Sequence, residues 1–115
     1  MRLTTDFWVS ALIRTVFNQG GFAAIVRRGA AEAGAVFVLV RNRMGQVTLY
    51  GPGAQASYDT ARPDERLFTL MIEAGEGEAV DHRLAKEMRF DPDIWVVELE
   101  PGERDVAELL PITTP

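Results

Sequence analysis

The apolar residues of this 115-residue chain come in short runs, of which Ala35–Val40, bounded by Gly34 and Arg41, is among the longest. Runs this short are strand-length and fall far below the roughly 20 residues a membrane helix needs. Phe22–Arg28, Ala35–Arg41, Gln46–Tyr50, Leu67–Ile72 and Ile94–Glu100 all read as strands, rich in Val, Ile, Phe and Leu. Two segments break that rhythm. From Asp6 to Asn18, Trp8, Leu12, Ile13, Val16 and Phe17 recur at helical spacing opposite a polar row of Ser10, Arg14 and Asn18. Thr4, Thr5 or Asp6 can cap that helix, and Gly20-Gly21 can close it with a left-handed residue. From Glu76 to Arg89, Val80, Leu84 and Met88 stand four apart among charges, a surface helix with a narrow buried stripe. The residue before Pro92 disfavours helix and ends it.

The order is α-β-β-β-β-α-β, with tight turns joining the early strands. This predicts one α+β domain over residues 1–100, with a single, mainly antiparallel sheet of about five strands and two helices. Residues 101–115 read as a short Pro-containing tail. The length suffices for one core without staples.

Zero cysteine removes disulfides, thiolate metal sites and a cysteine nucleophile together. With no charged leader followed by an uninterrupted apolar stretch, the expectation is a cytoplasmic protein with no membrane contact. Charge is uneven. Residues 1–58 hold six arginines against two acids, and residues 59–115 hold six basic residues against fifteen acids.

The segments Thr5-Asp-Phe-Trp-Val-Ser-Ala, Arg27-Arg-Gly, Leu49-Tyr-Gly-Pro and Phe90-Asp-Pro-Asp-Ile-Trp-Val-Val-Glu carry a resemblance across residues 1 to about 100. On them the chain resembles a family of short bacterial proteins catalogued as domain of unknown function 1491. The resemblance implies a compact stand-alone bacterial protein. It brings no activity, cofactor or catalytic residue.

The residues themselves offer few chemistries. His82, the sole histidine, could line one helix face with Glu78 and Asp81, though a solvated acidic surface accounts for the same spacing. A serine–histidine–acid set would need Ser10 or Ser57 to meet His82, and no Gly-x-Ser-x-Gly surrounds either serine. Asp91 and Asp93 read as a turn, and Glu98 with Glu100 as an exposed strand end. Gly51-Pro-Gly-Ala-Gln-Ala-Ser57 lacks the Lys-Ser/Thr ending of a phosphate loop, and Pro52 removes a backbone donor. Arg27, Arg28, Arg41 and Arg43 lie near Phe37 and Tyr50, but a chain with a pI near 4.8 is not expected to seek nucleic acid. No catalytic residue, metal site or cofactor is implied.

The leading expectation is a non-enzymatic binding or regulatory module acting through protein–protein contact. The alternative is a small enzyme or ligand-binding protein holding an anionic metabolite through Arg41, Arg62 or Arg66. Two structural expectations accompany these readings. The first helix should pack Trp8, Leu12, Val16 and Phe17 on the sheet against Trp95, Val97 and Leu99. A four-residue loop, Asn42–Gly45, would pair Arg41 with Gln46, Val38 with Leu49, Phe37 with Tyr50 and Leu39 with Thr48. Phe37, Leu39, Tyr50, Met71 and Val96 would then share a face, with Arg41, Gln46 and Glu98 at its rim. That face is either a homodimer or partner interface or the seat of the second helix.

Overall fold

In the computed structural model, which describes residues 3–53, 66–102 and 105–113, the first amphipathic run folds as helix α1, Thr5–Asn18. Its opening N–H groups are not left to water. Thr5 N donates to Glu32 O (3.3 Å), Asp6 N to Ala31 O (3.0 Å) and Phe7 N to the Asp6 carboxylate (2.8 Å). Its end is closed as the glycine pair foretells. Gly20, at φ +81°, donates to Phe17 O, and Gly21 donates to Val16 O.

Val9, Leu12 and Val16 form the buried row of α1 together with Thr5. Trp8 is half-buried at its margin. Phe17, expected in that row, is 50% exposed and packs edge-on against Phe22 at 5.7 Å. It follows Val16 by one residue, about 100° around the helix, so it turns off the sheet while Val9 fills the core.

The strands are β1 (Phe22–Arg27), β2 (Val36–Arg41), β3 (Val47–Pro52), β4 (Phe68–Gly75), β5 (Trp95–Glu100) and β6 (Ile112–Thr113). Helix α2 (Gly77–Phe90) precedes β5, and the single turn α3 (Val106–Leu109) precedes β6. The sheet order is β1-β5-β2-β3-β4-β6. The expectation of five mainly antiparallel strands and two helices is corrected here. The described residues form six strands and three helices, and β2–β5 and β4–β6 pair in parallel.

The reason lies in β5. Ile94-Trp-Val-Val97 is apolar on both sides, and such a strand is stable only where both faces are covered. It therefore takes an interior place in the sheet, between β1 and β2. The Gly29–Ala35 connection bridges its width, with Ala30 N donating to Asp93 O (3.0 Å) and Trp95 N to Ala35 O (2.8 Å).

The β2–β3 hairpin also departs from expectation. Asn42 N donates to Gln46 O, Gly45 sits at φ +81°, and the Asn42 side chain accepts from Met44 N and Gln46 N. These bonds close a three-residue loop with a left-handed glycine, a hairpin type whose bulge shifts the pairing. Val38 lies opposite Tyr50, Leu39 opposite Leu49 and Arg41 opposite Val47. A slip of one residue exchanges the faces of β3, which sends Tyr50 to the α1 side and Leu49 to the other.

Two cores result. Beneath α1 lie Ala23, Val36, Val38, Phe68, Trp95, Val97 and Leu99, closed by Leu110 beyond α3. Trp95, Val97 and Leu99 are where the alternation puts them. Beneath α2, Phe37, Leu39, Leu49, Ile94 and Val96 pack on Val80 and Leu84, with Met71 and Met88 alongside. Of the five residues expected on one apolar face, either an interface or the seat of the second helix, Phe37, Leu39, Met71 and Val96 are sheltered by α2. Tyr50 is on the opposite face.

Candidate functional site

Among the described residues Thr5 is the only polar residue buried as a whole, and it organises one end of the sheet. Its hydroxyl donates to Gly34 O (2.9 Å) and accepts from the Arg66 guanidinium at Nη2 (2.7 Å). That guanidinium lies 5.6 Å from the centre of the Trp8 ring, and Trp8 in turn lies 5.6 Å from the Phe68 ring. Next to this stack a cleft of about 330 Å³ opens between Val36, Pro52, Gly53, Leu67 and Phe68, with Arg66 in its wall. One cation in an apolar wall is how small-molecule sites orient an anionic group, and the volume is near the lower bound for such sites.

At the opposite end Arg41 Nη2 meets Glu98 Oε1 at 3.1 Å. A broader cleft there, about 480 Å³, has Arg41, Arg43, Glu100 and Asp105 in its lining. Arg66 lines the first cleft beside Val36, the first residue of β2, and Arg41 is the last. At about 3.3 Å per residue those ends stand about 17 Å apart. Arg41 and Arg66 therefore do not form one anion site. Arg62 lies outside the described residues, as does Ser57.

The remaining candidates disperse. Glu78, Asp81 and His82 are exposed on α2, and among the described residues no three groups of metal-ligating type converge. Ser10 and His82 belong to helices on opposite faces of the sheet. Asp91 and Asp93 form the turn expected of them, with Asp93 N donating to the Asp91 carboxylate at 3.0 Å. Tyr50 is half-buried on the α1 face. Its phenol is held above the ordinary value near 10, first by burial and then by the nearby Glu73 carboxylate.

Sequence reasoning missed two features. Thr5 reads locally only as a cap, since nothing near it in the chain announces a hydroxyl buried by contacts 29 and 61 residues away. The edge strand β1 was read as an ordinary strand, yet Phe22 and Val26 on it are 46% and 59% exposed. The unbroken apolar run of β5 is the available signal, because a strand that claims an interior place leaves its neighbour β1 at the edge.

The architecture defines the class: a small α+β protein with a mixed six-stranded sheet, one long helix on each face and a cleft at each end. Among the described residues no helix is long and apolar enough to cross a membrane. The chain belongs to the DUF1491 family, described as proteins of unknown function, which matches residues 3–110. It is similar to the solution structure of protein Atu0922 from A. tumefaciens, at 44% identity and a TM-score of 0.84, covering 100% of this chain and 98% of that one. It is also similar to the crystal structure of a DUF1491 family protein from Caulobacter crescentus CB15. There the identity is 35%, the coverage 100% of this chain and 99% of that one, and the TM-score 0.74. No curated protein matches the chain.

Proposed function

We propose that this protein is a non-enzymatic binding module that works through protein–protein contact. The observation that carries this reading is the placement of its unsheltered apolar side chains. Phe22 and Val26 are exposed on an edge strand, and Phe17 extends the same surface through its edge-on contact with Phe22. Single exposed apolar residues are ordinary, whereas two on a strand whose outer edge no described strand covers mark a contact surface.

A second reading is favoured by the cleft beside Arg66. There the protein would hold a small anionic metabolite, with Arg66 as its cation and Phe68 and Val36 as its apolar floor.

One thermal-shift screen separates the two. A ligand at 100-fold its Kd adds about 2.7 kcal/mol, which for a chain of this length is a Tm shift of roughly 10 °C. The protein-contact reading expects nucleotides, acyl-CoA and sugar phosphates all to leave Tm within about 1 °C of the parent. A shift of several degrees from one anionic compound, abolished in Arg66→Gln, would replace it with the second reading.

A further inference from the structure

Strand β1 stands at the end of the sheet, and no other described strand pairs with its outer edge. Such an edge presents a row of free N–H and C=O groups that can template another strand. Its side chains favour one partner. Phe22 and Ala24 lie opposite Glu100 and Glu98 of β5, on the face that α2 covers elsewhere. Helix α2 packs mainly over β3 and β4, so it does not shelter β1. Val26 falls at a β-bulge between Ile25 and Arg27 and has no partner on β5.

We infer that β1 pairs antiparallel with β1 of a second copy of this chain, across a two-fold axis at Ala24, joining the two sheets edge to edge. This rests on the protein-contact reading above and names the partner. In that register Phe22 faces Val26 of the second copy, the reverse contact repeats across the axis, and the small Ala24 faces its own mate. Both exposed apolar residues of β1 are thereby used twice, which is the self-complementarity a two-fold interface requires. Sliding the pair by two residues would set Phe22 against Arg28 in one direction and Val26 against Gly20 in the other.

Charge agrees with the same register. Arg27 faces Gly21 of the second copy, which has no side chain to clash with it. The two Arg27 residues stand about 20 Å apart, about two and a half times the screening length at physiological salt. A parallel pairing would place them side by side.

The chain contains no cysteine, so a single introduced thiol reports the axis cleanly. Directly opposed residues of antiparallel strands have Cα atoms about 4.5–5.5 Å apart, within the range a disulfide spans. Ala24→Cys should therefore cross-link to a dimer under mild oxidation, while Lys86→Cys, exposed on α2, should stay uncross-linked. So short an interface predicts weak association. Light scattering behind a sizing column, over about 10 µM to 1 mM, should show the mass rising from 12.7 kDa towards twice that. Phe22→Glu should hold it at the monomer value while remaining folded, with Tm lowered modestly by the lost Phe17 contact and the new carboxylate opposite Glu100. A parent that stays monomeric throughout would overturn the pairing and leave the protein-contact reading standing, with a different chain on the edge. A dimer that persists in Phe22→Glu and does not cross-link at Ala24 would also overturn it. A metabolite-dependent Tm shift, by contrast, would remove the underlying reading.

Discussion

The two faces of the sheet carry one fourteen-residue helix each, yet they are not equally closed. Helix α1 sinks Thr5, Val9, Leu12 and Val16, has both ends hydrogen-bonded into turns, and is joined by Leu110 from the C-terminal segment. Helix α2 sinks only Val80 and Leu84. The contrast follows from geometry. Six strands at about 4.8 Å spacing span about 24 Å, whereas a helix with its side chains is about 10 Å wide. One helix cannot roof a face alone. The α1 face gains a second contributor in Leu110, and the α2 face does not, so its far margin at β1 stays bare. Coverage is a matter of width as well as hydrophobicity, and the exposed Phe22 and Val26 are the residue of that shortfall.

Three measurements sharpen or break this contrast. Trp95 is fully buried beneath α1, donates from its indole to Ala30 O at 2.8 Å and carries Arg28 5.2 Å from its ring centre. Trp95→Ala should cost about 3–5 kcal/mol in urea unfolding, and a variant melting within a degree of the parent would remove Trp95 from the core. On the other face Leu84→Ala should cost about 2–3 kcal/mol, the low end for a buried leucine, because α2 alone roofs this face and sinks only Val80 beside it. A loss larger than that of Trp95→Ala would reverse the ranking of the two faces.

The smallest effect concerns Tyr50, displaced onto the α1 face by the hairpin register. Its folded pKa is raised, so above pH about 10 the native state keeps a proton that the unfolded chain has lost. Its contribution is complete below the unfolded value and disappears as pH rises through the folded one. Tyr50→Phe should therefore lose less stability than the parent between about pH 9 and pH 11. Equal losses would show that Tyr50 does not titrate with unfolding.

Much of the local structure was legible in advance. The glycine pair ends α1, Val80 and Leu84 form the stripe of α2, the aspartates around Pro92 make their turn, and Trp95, Val97 and Leu99 share a parity in the core. The site was less legible. Arg66 was singled out as a cation, but its contact with Thr5 and Trp8, and its separation from Arg41 by the length of β2, depend on distant pairings.

What the sequence by itself determined was periodicity, caps and turns, because these arise from side chains within a few residues of one another. It also marked β5 as apolar on both sides. Only the tertiary structure decided that β5 would part β1 from β2, that one left-handed Gly45 would move β3 by a residue, and that Phe37 would be sheltered while Phe22 was not. A strand's neighbours and its register are settled by competition among all strands for two covered faces. A hairpin bulge or the reach of one helix tips that competition, and neither is written in the residues that end up exposed.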